Sequence, residues 1–152
     1  MSLAIGDTAP DFTLDSDDKD GISLASLRGK KVVLYFYPKD STPGCTNQAC
    51  EFRDLEGQFA ERNTVVLGVS KDSLRSHGNF RTKHDLNFPL LSDPDLLVHK
   101  AYGVWAEKKN YGRTYMGTVR TTVVIDEAGR IASYSGNVRA KGNAQRTLEA
   151  LG

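Results

Sequence analysis

Two apolar runs, VVLYFY at residues 32–37 and TVVLGVS at 64–70, limit the folds open to this chain more than any other feature of its sequence. A strand with one wet face alternates polar and apolar residues, whereas a continuous β-branched and aromatic run suits a strand covered on both faces. Both runs are therefore predicted to be interior strands. Between them Ala49, Phe52, Leu55 and Phe59 recur at spacings of three, three and four, with Glu51, Arg53 and Glu61 off that stripe. The spacing predicts an amphipathic helix from Pro43 to about Arg62. Gly57 weakens it by ~1 kcal/mol relative to Ala, and Asn63 is a stop signal after it. A helix joining two buried strands makes a right-handed βαβ crossover, so the sheet begins parallel.

The remaining chain adds a helix over 73–84 with Gly78 inside it, and a shorter one opened by Pro94 and ending near Tyr102. Extended runs at 120–126 and 130–135, joined by a Glu-Ala-Gly turn, predict a β-hairpin, and 143–151 predicts a closing helix. A βαβ half followed by a hairpin and a last helix is the α/β pattern of a thioredoxin-like fold, a central mixed sheet flanked by helices. With 152 residues and no repeat or linker, residues 1–152 are expected to form one domain. A domain of that length buries roughly 68–70% of its unfolded surface and needs no disulfide or structural metal, so its two cysteines need another explanation.

Charge points to no extended anionic partner. Twenty Lys and Arg against 19 Asp and Glu give a net +1, too weak a field for nucleic acid or a membrane surface. The cluster of Asp residues near the start reads as a solvated surface, and DSDDKDG at 15–21 as a turn, since Lys19 stands where a calcium loop needs a ligand. The longest apolar run is six residues, where a bilayer span needs about 20. The opening MSLAIGDTAP has neither the basic nor the apolar region of a signal peptide. The expected compartment is the cytoplasm, where paired thiols are more often redox-active or metal-bound than structural.

Chemistry concentrates between the first strand and the long helix, in PKDSTPGCTNQAC at 38–50. Pro43 suits the first helical position and Thr42 a cap, which places Cys45 in the first turn beside unsatisfied backbone N–H groups. The positive end of the helix dipole favours a thiolate there. Cysteine is also often a small buried hydrophobe, and a capped strand-to-helix loop occurs in inert proteins. Cys50 on the same helix adds the possibility of redox exchange. His77, His84 and His99 show no metal-ligand spacing and are expected at the surface. Trp105, Tyr111 and Tyr115 are expected to pack in the core rather than to rim a site.

The run P-x-x-x-T-x-x-C, filled by Pro38, Thr42 and Cys45, resembles the signature of peroxiredoxins. More closely, FYPKDSTPGCTNQACEFRD is similar to the bacterioferritin comigratory protein, or peroxiredoxin Q, subgroup. The likeness extends through GDTAPDFTL, LRGKKVVLYFYP, LLSDPD, YGVWAEK, YMGTVRTTVVID and GRI. It implies that Cys45 is the peroxidatic cysteine and Cys50 the resolving one, with an intrachain disulfide between them. It further implies that Thr42 contacts the sulfur and the attacked oxygen, and that the Gly44 and Cys45 N–H groups hold the peroxide. Pro38 would shield the sulfur, Arg120 would stabilise the thiolate and the leaving oxygen, and Gln48 would orient Arg120. The implied activity is reduction of hydrogen peroxide and organic hydroperoxides by a monomer, without metal, haem or flavin, with electrons from thioredoxin or a similar dithiol. Two rivals are a thiol–disulfide oxidoreductase acting on proteins, against which the four-residue gap between the cysteines speaks, and a non-catalytic thioredoxin-like binding module.

Overall fold

The computed structural model describes residues 3–151 of the chain. Short strands β1 (Thr13–Leu14) and β2 (Ile22–Ser23) lead into β3 (Lys31–Phe36), α1 (Pro43–Glu61), β4 (Thr64–Ser70), α2 (Leu74–His84) and β5 (Leu90–Ser92). Then follow α3 (Leu97–Ala101), β6 (Trp105–Asn110), β7 (Arg113–Thr118), β8 (Thr121–Ile125), β9 (Ile131–Ser135) and α4 (Asn143–Ala150). Five strands form the central sheet in the order β5-β4-β3-β8-β9. β3, β4 and β5 run parallel, while β8 pairs antiparallel with both β3 and β9. This is the mixed sheet of a thioredoxin-like fold, with the predicted βαβ crossover and the predicted hairpin in place.

β3 shows why its sequence is continuously apolar. Val32, Leu34 and Phe36 enter one core with Leu67, Val69, Leu91, Val98 and Tyr102. Val33, Tyr35 and Tyr37 point the other way, into a core built with Cys45, Ala49, Phe52, Phe59, Phe80 and Leu148. The period of two along a strand thus serves two buried faces, with α1, α2 and α4 over one and α3 over the other. The β3–β8 register sets Phe36 opposite Thr121. Arg120, one residue before β8, therefore arrives beside the end of β3 where α1 begins.

Beyond the short strands β1 and β2, four elements differ from expectation. The helix opened by Pro94 is confined to Leu97–Ala101, because Leu96 sits in the left-handed region (φ 64°) and breaks the run. β5 is only three residues, too short to carry a period. β6 and β7 form a separate two-stranded arm closed by Tyr111 and Gly112, whose φ values of 52° and 76° suit a two-residue hairpin turn. Tyr111 is 97% exposed and Tyr115 and Met116 are exposed too, so the expected core packing of Tyr111 and Tyr115 does not occur. Trp105 alone of the three is half-buried, edge-on to His99. Among the described residues no helix is long and apolar enough to cross a membrane.

Candidate active site

The chain leaves β3 at Phe36, and Tyr37 still donates its N–H to Val69. Ser41 then takes a left-handed conformation (φ 66°) and turns the chain into α1. Thr42 is extended at the cap position and Pro43 opens the helix, as predicted. The first helical bond runs from Thr46 N–H to the Thr42 carbonyl, 2.8 Å. The Gly44 and Cys45 N–H groups precede that bond and belong to the unsatisfied first turn. The Thr42 side chain does not cap. Its hydroxyl donates to the Lys39 carbonyl at 2.9 Å, because the turn at Ser41 brings that oxygen within reach.

Cys45 is 1% exposed, and its sulfur faces a guanidinium. Arg120 Nη2 donates to Sγ at 3.4 Å, and Nη1 donates to Gln48 Oε1 at 2.5 Å. Gln48, fully buried, donates Nε2 to Asn143 Oδ1 at 2.9 Å, and Thr122 Oγ1 donates to the same oxygen at 2.8 Å. Gly44 leaves room for this approach: a Cβ there would stand 3.3 Å from Arg120 Nη2, a tight contact. Tyr35, stacked on Phe52 at 4.6 Å, belongs to the same core as Cys45. Burial, followed by the neighbouring Cys45 and Asp40, pushes the Tyr35 phenol well above its ordinary pKa, so it stays neutral.

Of the residues singled out in the sequence, Arg120, Gln48 and Gly44 are gathered around Cys45, and Pro38 and Thr42 lie on the loop leading to it. Cys50 is not brought to Cys45. Both are free thiols within one regular helix, Cys50 half-buried and five positions on. Two of the three histidines expected at the surface are fully buried. His77 holds the loop: Nδ1 lies 2.7 Å from Asp40 Oδ2 and Nε2 lies 2.9 Å from the Leu91 carbonyl. Asp40 also accepts from Tyr37 and Ser76 and donates its backbone N–H to Asp72. His99 sits between Asp93 and Thr118. Each histidine is buried because both ring nitrogens find partners. Asp40 lies inside the chemical segment and its neighbourhood was a local signal, whereas Asn143, 95 residues from Gln48, offered none.

A buried thiol at a helix start, with a fixed cation against its sulfur, suits attack by a thiolate and stabilises negative charge on a departing atom. The model of the AhpC/TSA family matches residues 5–134. A putative peroxiredoxin Bcp of Coxiella burnetii is 47% identical over 99% of this chain and 100% of its own length. Peroxiredoxin Bcp of Bacillus subtilis is 45% identical over 99% of this chain and 96% of its own. Among solved structures, a PrxQ mutant of Xylella fastidiosa superposes with TM-score 0.94 at 37% identity, covering 99% of this chain and 96% of that one. The bacterioferritin comigratory protein of Xanthomonas campestris, studied for alkyl peroxide reduction, superposes with TM-score 0.90 at 36% identity, covering 98% and 95%.

Proposed function

Because this chain belongs to the AhpC/TSA family and is a thiol-dependent peroxidase of its Bcp peroxiredoxin group, we propose that Cys45 is its nucleophile, Cys50 its resolving thiol and thioredoxin its reductant. The observation that carries the assignment of Cys45 as nucleophile is the Arg120 guanidinium 3.4 Å from its sulfur at the start of α1. The Cys45 thiolate attacks one oxygen of a hydroperoxide, the O–O bond breaks, and the leaving oxygen departs as water or an alcohol after taking a proton. Arg120 and the Gly44 and Cys45 N–H groups face the charge that develops on it. Thr42, its own proton committed to Lys39, is left to accept a hydrogen bond from the peroxide. Pro38 shields the sulfur from water, and Gln48 orients Arg120.

Cys45 is then a sulfenic acid. The Cys50 thiolate attacks its sulfur, water leaves, and a Cys45–Cys50 disulfide forms. A dithiol returns two electrons by exchange, and the scheme needs no metal, haem or flavin. Hydrogen peroxide and organic hydroperoxides are both substrates, and a resolving thiol within the chain lets a cytoplasmic monomer, a single domain spanning 1–152, complete the cycle.

Intact-mass spectrometry after one equivalent of peroxide tests both thiols together. The wild-type chain should lose two hydrogens, and Cys50→Ser should gain one oxygen at Cys45. Steady-state turnover of Cys45→Ser with thioredoxin would overturn the assignment.

A further inference from the structure

We propose that Asn143, at the start of α4, is a positioning residue for the peroxide step: it fixes Gln48, and through Gln48 the guanidinium that Arg120 holds against Cys45. The inference rests on the roles proposed above for Cys45 and Arg120. Its logic begins with donor and acceptor inventory. Arg has no acceptor, so Gln48 must present its oxygen to Arg120 Nη1, and its amide NH2 then faces away. That NH2 meets Asn143 Oδ1, which also receives the Thr122 hydroxyl. Arg120 is half-buried, but the groups behind it are closed off: Gln48 is 0% exposed and Asn143 and Thr122 are 3% each, so water does not stand in for a missing partner of the Gln48 NH2.

Asn143 is itself firmly seated. Its backbone carbonyl accepts from Thr147 Oγ1 at 2.7 Å, and the Gly142 N–H before it donates to Glu51 Oε1 of α1 at 2.7 Å. The guanidinium is a rigid planar fork. Fixing Nη1 on Gln48 therefore decides where Nη2 points, and it points at the sulfur. Without the Asn143 oxygen, the Gln48 NH2 is an unpaired buried donor, and the amide turns or shifts to find another partner. Either movement takes Nη2 off the sulfur.

The test follows loss of the alkylatable Cys45 thiol in quenched flow with hydrogen peroxide, using the full-length chain. Asn143→Leu should slow this step roughly 10- to 100-fold, between the loss of one hydrogen bond and a misplacement of about 1 Å. Asn143→Asp keeps an oxygen that accepts from both donors and should restore most of the rate. Arg120→Met should slow the step on the order of 10²–10³-fold, and adding Asn143→Leu to it should slow it no further, since nothing remains to be positioned. A merely structural Asn143 would slow both backgrounds alike, and that result would overturn the inference. So would an Asn143→Leu chain as fast as wild type while Arg120→Met is slow. An unslowed Arg120→Met chain would remove the underlying reading of Arg120 and the inference with it. If Asn143→Leu does not fold, Asn143→Ala, which removes the same oxygen without adding bulk, takes its place with the same expected and overturning results.

Discussion

Arg120 touches two different partners with one planar group, and the space it uses exists because residue 44 has no side chain. The close approach makes Gly44 a place where stability and rate respond in opposite directions. An alanine at Gly44 removes conformational freedom from the unfolded chain and should favour the helix by about 0.5–1 kcal/mol. Its methyl would stand 3.3 Å from Arg120 Nη2 and 3.8 Å from the Ala140 methyl. The guanidinium must give way by a few tenths of an ångström, and the sulfur contact lengthens. Gly44→Ala is therefore expected to melt at the wild-type temperature or above while reacting more slowly with peroxide. A variant that is both more stable and undiminished in rate would show that the Arg120 contact tolerates displacement. Thr42 teaches a related lesson. Its residue type predicted a side-chain cap, but the loop offered a carbonyl at 2.9 Å, and the hydroxyl took it.

At the scale of the element, α1 must do two incompatible things in the proposed cycle. Its first turn presents Cys45 to peroxide, yet a regular helix cannot bring Cys45 and Cys50 together. Five residues of helix separate their Cα atoms by roughly 8–9 Å and turn the side chains about 140° apart, whereas a disulfide spans less than about 7 Å. The start of α1 must unwind before the bond closes. Backbone amides from Cys45 to about Arg53 are expected to exchange with solvent faster in the peroxide-oxidised chain, with β3 and β4 unchanged. An intact α1 around a formed disulfide, seen by exchange or in a crystal, would refute this. The helix itself was legible in sequence because Ala49, Phe52 and Phe59 fill one core. The β6–β7 arm was not, because only its base, at Trp105, Gly117 and Thr118, packs on the body and the exposed remainder leaves no alternation to read. Pro38, Thr42, Gly44 and Cys45 were legible as neighbours in one loop. Arg120 entered only through resemblance to a family, and Asn143 not at all, since contacts across 95 residues leave no trace in local pattern.

Across the whole molecule, successive elements are tied together by buried side-chain hydrogen bonds that composition alone does not reveal. Asp93, after β5, accepts at 2.7 Å from both the ring Nδ1–H and the backbone N–H of His99, and His99 Nε2 reaches Thr118 at the end of β7 at 3.0 Å. Thr118 stands two residues before Arg120, and Val119 N–H is held by the Val104 carbonyl at 2.8 Å. The pair thus anchors the stretch that delivers Arg120 to the site. Burial pushes the Asp93 carboxyl up, but hydrogen bonds from the His99 ring and the His99 and Val98 N–H groups outweigh it and leave its pKa below the ordinary value. A carboxyl with a depressed folded-state pKa stabilises the fold fully above its unfolded value of about 3.9, and that contribution disappears as pH falls through the folded value. Asp93→Asn should therefore cost stability at neutral pH, on the order of 1.5–3 kcal/mol for weakening buried hydrogen bonds to a charged acceptor. The gap between wild type and variant, measured by urea unfolding, should be constant from pH 7 to about 5 and narrow below about 4, as wild-type Asp93 also becomes neutral. A gap that stays the same width at low pH would mean that shape, and not the carboxylate charge, holds this part of the molecule together.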